Sequence, residues 1–320
     1  LVKAAGPARI DGSVAAYYAT LMPAARVRPI AALCLLLAAA GAVSAFLLRA
    51  QVLVVTDSSF EAVYGVRRAA YARTALSLRL FRPVRRVRVA DSASSSAVAL
   101  AAAAASDSGS TLCVLFPPYF SEAAAAYAAS RSEIPAVVAF PLFFDRAGAS
   151  LGGALAVAPD PRVEGYRAGK SVAAFLLEAA RSSGRAAGIA AEPRVLVRIG
   201  SDPLDPFVAG LAAGLVSGGI RSEPVLIVPE GAKPGVGGAG AFLVDAAPDV
   251  PRPEVDPFAD TPQIVFSWID PALMPSSVVR VFDDSLYALA PAAARGARRG
   301  GEAKAAVRSF VPSGLGKYLY

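Results

Sequence analysis

Hydrophobic and polar positions fall into two regimes along this chain. From Pro29 to Leu48 no residue is charged, and the run PIAALCLLLAAAGAVSAFLL is flanked by Arg26 and Arg28 before it and Arg49 after it. A helix of about 20 residues at ~1.5 Å each just crosses a hydrocarbon core of about 30 Å, so a transmembrane anchor is one reading. The other is a secretory signal: read from Met22 there is a basic start, an apolar centre and Val43-Ser44-Ala45 as a small-residue cleavage site. Both readings export the rest of the chain. A buried core helix is the remaining alternative, and the lack of a polar face speaks against it. Cys34 follows Leu33 rather than a small residue, which does not suit lipoprotein acylation. Residues 1–21 show no periodic pattern, and 1–28 are expected to be a disordered leader.

After Arg49 the pattern becomes short β-branched runs separated by longer Ala-rich segments. Strands are predicted at Gln51 to Thr56, Arg85 to Ala90, Thr111 to Phe116, Ala136 to Phe140 and Ala154 to Ala158. Between them helices are predicted at Phe60 to Leu80, with Val63, Val66, Ala70, Ala75 and Leu78 on one face, at Ser94 to Ala105 and at Ser121 to Arg131. Asp160 caps a long helix from Pro161 to Ser182, because Pro in the first turn gives up no hydrogen bond. Further strands are expected at 193–199, 225–228, 241–244, 264–267 and 278–282, with helices at 206–216 and 286–299. Continuous Val/Leu strands joined by helices imply parallel sheets covered on both faces, a doubly wound α/β fold.

Composition narrows the chemistry. The 320 residues contain no histidine, which removes Ser-His-Asp and Cys-His nucleophile systems and the usual neutral-pH base. Two cysteines make no disulfide framework. The net charge of +7 looks like a nucleic-acid signal until it is located: residues 1–50 hold Lys3, Arg9, Arg26, Arg28 and Arg49 against Asp11 alone. More than half of the excess therefore precedes the folded part, and no nucleic-acid partner is expected.

Ile134 to Phe140 (IPAVVAF), the Asp145-Arg146 pair and Ala156 to Lys170 (AVAPDPRVEGYRAGK) together resemble the hinge-crossing segment of type I periplasmic binding proteins, the ribose-binding and LacI-like group. Gly200-Ser201-Asp202, Val279 to Asp284 (VRVFDD) and Val307 to Pro312 (VRSFVP) fall in the order that family uses, over roughly residues 51–320. The resemblance implies two α/β lobes joined by hinge crossovers, the first 51–160 plus 285–308 and the second 161–284 plus 309–320. It further implies a small polar ligand between the lobes and delivery to the permease of an ABC-type transporter. Open α/β sheets independently favour binding at the carboxyl ends of their strands. The sequence departs from the family over 231–262, which is rich in Gly and Pro, so the second lobe is abbreviated.

Strand ends are therefore where ligand-binding residues are expected: Asp57, Phe60, Tyr64, Phe116, Tyr119 and Arg146 on the first lobe, Asp202, Trp268 and Asp283 on the second. Flat rings suit the apolar faces of a sugar or nucleoside, and carboxylates or Arg suit its hydroxyls. Competing readings stand beside these. Asp160, Asp205 and Asp270 each precede a proline and read as helix caps. Phe60 and Tyr64, four apart on a helix, read equally as core. Arg67, Arg68, Arg73, Arg79, Arg82, Arg85, Arg86 and Arg88 form a run without an acid, which reads as a solvated face or as a contact for anionic lipid headgroups. The Gly-rich stretch 231–240 lacks the Lys-Ser/Thr pair of a phosphate loop.

The expected function is that of an extracytoplasmic solute-binding protein without catalytic residues, metal or cofactor, taking a sugar or nucleoside. Residues 29–48 hold it at the membrane if they are not cleaved. The alternative is a membrane-anchored sensor or interaction domain with a degenerate cleft, and a hydrolase built on paired aspartates is a third reading.

Overall fold

The structure is a computed structural model that describes residues 24–106, 109–144, 149–182, 194–198, 205–227, 241–245, 258, 260–269, 274–301, 303–305 and 308–310. The chain divides into two units, Leu1–Arg49 and Ala50–Tyr320. In the first, helix α1 spans Ala24–Leu47, and its side chains from Ala31 onward are exposed apart from the half-buried Phe46. Among the described residues no helix is long and apolar enough to cross a membrane.

In the second unit strand and helix alternate. The strands are β1 (Gln51–Thr56), β2 (Val84–Arg88), β3 (Thr111–Phe116), β4 (Ala136–Ala139), β5 (Leu155–Pro159), β6 (Arg194–Arg198), β7 (Val225–Ile227), β8 (Ala241–Asp245), β9 (Gln263–Phe266), β10 (Val278–Asp283), β11 (Ala303–Ala305) and β12 (Arg308–Phe310). The helices are α2 (Ser58–Tyr64), α3 (Val66–Leu80), α4 (Ser95–Ala105), α5 (Ser121–Ser130), α6 (Pro161–Ser182), α7 (Asp205–Ser217) and α8 (Leu286–Arg299).

Two six-stranded sheets result, in the orders β11-β5-β4-β3-β1-β2 and β12-β10-β9-β8-β6-β7. Both place their strands in the same winding, and every pairing is parallel except β10 with β12. The doubly wound, two-sheet α/β expectation is met. The chain passes from the first sheet to the second after β5, returns between β10 and α8, and crosses again between β11 and β12.

β1 and β3 are apolar on both faces because both faces are covered. Val52, Val54, Cys113 and Leu115 pack toward α2, α3 and α8, while Leu53, Val55, Val114 and Phe116 pack toward α4 and α5. In the second unit's other sheet Val195, Val197, Phe242, Val244 and Phe266 pack with α6 and α7. Those two helices meet backbone to backbone: a Cβ on Gly165 or Gly169 would run into the carbonyl oxygens of Phe207 or Leu211, and one on Gly210 or Gly214 into those of Arg162 or Tyr166.

One predicted element is corrected. The single helix over 60–80 is two helices broken at Gly65, whose φ of 92° L side chains rarely adopt. The buried face is also different: Tyr64, Arg68, Ala69, Ala72 and Leu76 point inward, while Val66, Ala70 and Leu78 are exposed. The break rotates α3 onto a stripe that includes an arginine, which apolar periodicity alone excludes. Elsewhere boundaries agree to within one or two residues. Asp160 caps α6 as expected, its Oδ1 accepting from the Arg162 amide at 3.1 Å, and its Oδ2 meets Lys304 Nζ at 2.8 Å. Asp205 opens α7. Asp270 and most of 231–262 lie outside the described residues.

Candidate functional site

The carboxyl end of β1 carries the first group. Asp57 follows the strand and is the N-cap of α2, its Oδ1 accepting the Phe60 amide at 2.7 Å. The Tyr119 hydroxyl donates to the same oxygen at 3.2 Å. Tyr119 stands in the turn after β3, where Pro117 and Pro118 start a single 3-10 turn, and 46% of it is exposed. Partial burial first, and then the negative charge of Asp57, hold its phenol well above the ordinary tyrosine range, so it remains a donor.

Asp91, after β2, is tied to the two residues next to Asp57. Its Oδ2 accepts the Ser58 hydroxyl at 2.5 Å, and its Oδ1 accepts the amides of Ser58 at 2.8 Å and Ser59 at 3.2 Å. The Ser58 hydroxyl, followed by the Ser59 and Ser58 amides, holds this exposed carboxyl below its ordinary value. Two carboxylates and a phenol thus stand at neighbouring strand ends of the first sheet, which is a set of acceptors and one donor suited to hydroxyl groups.

A second group joins the two sheets. Arg68 of α3 is fully buried. Its Nη2 meets Asp283 Oδ2 at 3.0 Å, and its Nη1 donates to the carbonyls of Trp268 at 3.0 Å and Ile269 at 2.8 Å. The guanidinium lies 4.1 Å from the centroid of Tyr64. Phe60 stacks between Tyr64 and Trp268, each at 5.3 Å, with interplanar angles of 13° and 9°. Tyr287 tilts against both Phe60 and Tyr64. Trp268 remains partly exposed. Asp283 also accepts the Ser285 amide at 2.9 Å, and Asp284 Oδ2 accepts the Leu142 amide at 3.0 Å.

The loop after β4 provides another contact between the sheets. Leu142 and Phe143 leave the first sheet and pack in the second sheet's core, with Phe143 edge-on to Phe207 at 5.1 Å and Phe266 at 5.4 Å. Only Phe144 of the adjacent pair is exposed.

Of the residues nominated from sequence, Asp57, Phe60 and Tyr119 converge directly, and Phe60, Tyr64, Trp268 and Asp283 converge around Arg68. Phe116 stands apart, fully buried with its ring 5.9 Å from Tyr127. Arg146 and Asp202 lie outside the described residues. Sequence reading leaves Arg68 within a basic run. The signal that marks it is spacing: on α3 it precedes Ala72 and Leu76 at intervals of four. The run is not one solvated face, since Arg86 pairs with Glu61, Arg82 holds the Ala50 carbonyl at 2.9 Å and Arg68 is internal.

No family model matches the chain, and no curated protein matches it. Among solved structures, it is similar to a transcriptional activator of the comK gene from Bacillus halodurans, with 13% identity, 83% of this chain and 91% of that chain covered, and a TM-score of 0.46. A periplasmic ribose ABC transporter protein from Conexibacter woesei gives 10% identity, coverages of 84% and 93%, and a TM-score of 0.46. AraP, an arabinose-binding protein from Geobacillus stearothermophilus, gives 11% identity, coverages of 82% and 97%, and a TM-score of 0.45. These matches assign neither ligand nor activity. The topology itself, two parallel sheets of like winding crossed three times by the chain, is the type I periplasmic binding protein-like fold that the sequence resemblance implied.

Proposed function

We propose that the protein is an extracytoplasmic, non-enzymatic solute-binding protein that takes a small polar ligand of the sugar or nucleoside class at the carboxyl ends of its strands. The observation that carries this reading is the linked set Asp57, Tyr119, Phe60 and Trp268: the Phe60 amide and the Tyr119 hydroxyl share one Asp57 oxygen, and the Phe60 ring backs Trp268. Asp91 adds a second fixed acceptor. A ring stacked on the open part of Trp268, with hydroxyls directed to Asp57 and Asp91, uses each group for the chemistry it offers. Residues 29–48 serve export, cleaved or retained, and mass spectrometry of the mature amino terminus distinguishes the two. Delivery to an ABC-type permease completes the role.

Trp268 is the sole tryptophan of the chain, so its fluorescence reports on this site. Titration of the full chain with panels of monosaccharides and nucleosides is expected to give a saturable change with one class, which Asp91→Asn weakens. Silence across both panels from a folded sample defeats the reading. A second reading then takes its place, that of a membrane-anchored sensor or interaction domain. What favours it is that Arg68 and Asp283, together with the Phe60 and Trp268 rings, already satisfy one another without a ligand.

A further inference from the structure

We propose that the face of the second unit where α3 and α8 end is a docking surface for an anionic lipid bilayer. Both helices cover the same side of the first sheet and run toward the amino ends of its strands, so their last turns come together there. Leu78 and Arg79 on α3 are exposed, Leu78 at 70%, and so are Arg295, Arg298 and Arg299 on α8. Ala69, Ala72 and Leu76 of α3 and Leu289, Ala293 and Ala294 of α8 share one buried cluster with Cys113 and Leu115, which places the two helices on one side of β3. No carboxylate occurs from 62 to 90 or from 285 to 301.

This face also receives the chain from the uncharged segment 29–48. Arg82 Nη1 holds the carbonyl of Ala50 at 2.9 Å, one residue after Arg49 and one before β1. Arginine in the last turn of a helix also complements the helix dipole, which accounts for Arg79, Arg298 and Arg299 singly. It accounts neither for Arg295 nor for an exposed leucine among them, whereas a headgroup layer takes both the charges and the apolar tip.

The test is vesicle co-sedimentation of the full chain with phosphatidylcholine vesicles and with vesicles in which about a third of the lipid is phosphatidylglycerol. The ratio of the two partition coefficients isolates the charge effect. In the triple variant Arg79→Gln, Arg298→Gln, Arg299→Gln that ratio is expected to fall by at least tenfold, each arginine near an anionic surface being worth about fivefold. A control variant, Arg162→Gln, Lys170→Gln, Arg181→Gln on α6, removes equal charge and is expected to keep the ratio within about twofold of wild type. An unchanged ratio in the first variant, or an equal fall in both, overturns the proposal. So does a loss of single-stranded DNA binding in the first variant without loss of vesicle binding, which would make the face a nucleic-acid surface. The proposal does not depend on the ligand reading.

Discussion

Arg68 and Asp283 lie 3.0 Å apart and are separated by 215 positions in sequence, with both side chains sealed from solvent. The pair joins a helix of the first sheet to the final residue of a strand in the second. A buried ion pair is favourable only when its remaining hydrogen-bonding capacity is met, and here two carbonyls and the Ser285 amide meet it.

Removing one partner leaves the other as an uncompensated buried charge. Arg68→Met and Asp283→Leu are each expected to lower unfolding free energy by about 3–5 kcal/mol, while the double variant Arg68→Met, Asp283→Leu loses less than their sum. Urea denaturation followed by circular dichroism measures all three. Additive losses would show that the two residues act independently.

This pair also marks the limit of what sequence reading reaches. The alternation of Val/Leu runs with Ala-rich segments is enough to give both sheets, because a strand covered on both faces leaves a continuous apolar signature. Strand ends single out Trp268, Asp283, Phe60 and Tyr64. Their mutual engagement is not visible there, since no local pattern pairs position 68 with position 283. Gly65 hides the rest: periodicity carried through it predicts Val66 and Leu78 inside, and the positive φ at that glycine turns them out. Asp91 gains its meaning from Ser58 and Ser59 more than thirty residues earlier.

The Asp91 carboxyl is held below its ordinary value of 3.8, chiefly by the Ser58 hydroxyl. A depressed folded-state value means that ionisation favours the folded form, so this contribution is complete above the ordinary value and disappears as pH falls through the lower one. The stability difference between wild type and Asp91→Asn is thus expected to be flat above about pH 5 and to shrink below about pH 4. Thermal melts across that range read it directly, and a difference that grows toward acid would reverse the assignment.

Burial pushes the Cys113 thiol up to about 12, against smaller opposing effects from Arg298 and Arg82. Little thiolate exists in the native protein at mildly alkaline pH, and the side chain is enclosed by the α3 and α8 layer. Maleimide labelling at pH about 8 is expected to miss the buried Cys113 until denaturant is added. Native modification of Cys113 located by peptide mass mapping would contradict this packing.

Gly169 of α6 has no room for a side chain, because a Cβ there meets the Leu211 carbonyl and the Leu215 amide of α7. Gly169→Ala is expected to cost about 1–3 kcal/mol despite alanine's better helix propensity, since backbone rather than a flexible tip must move. Gly301→Ala, where the space is open, serves as the comparison. Chemical denaturation of both variants sets the cost at the crowded helix contact against a glycine with open space around it.

Where α6 and α7 touch through their main chains, no rotamer change can accommodate sliding of one past the other. The two therefore behave as a stiff plate bolted beneath the second sheet. Any swing between the sheets has to be taken up by the three short linking stretches, and the torque of that swing arrives undiminished at the Arg68 rivet.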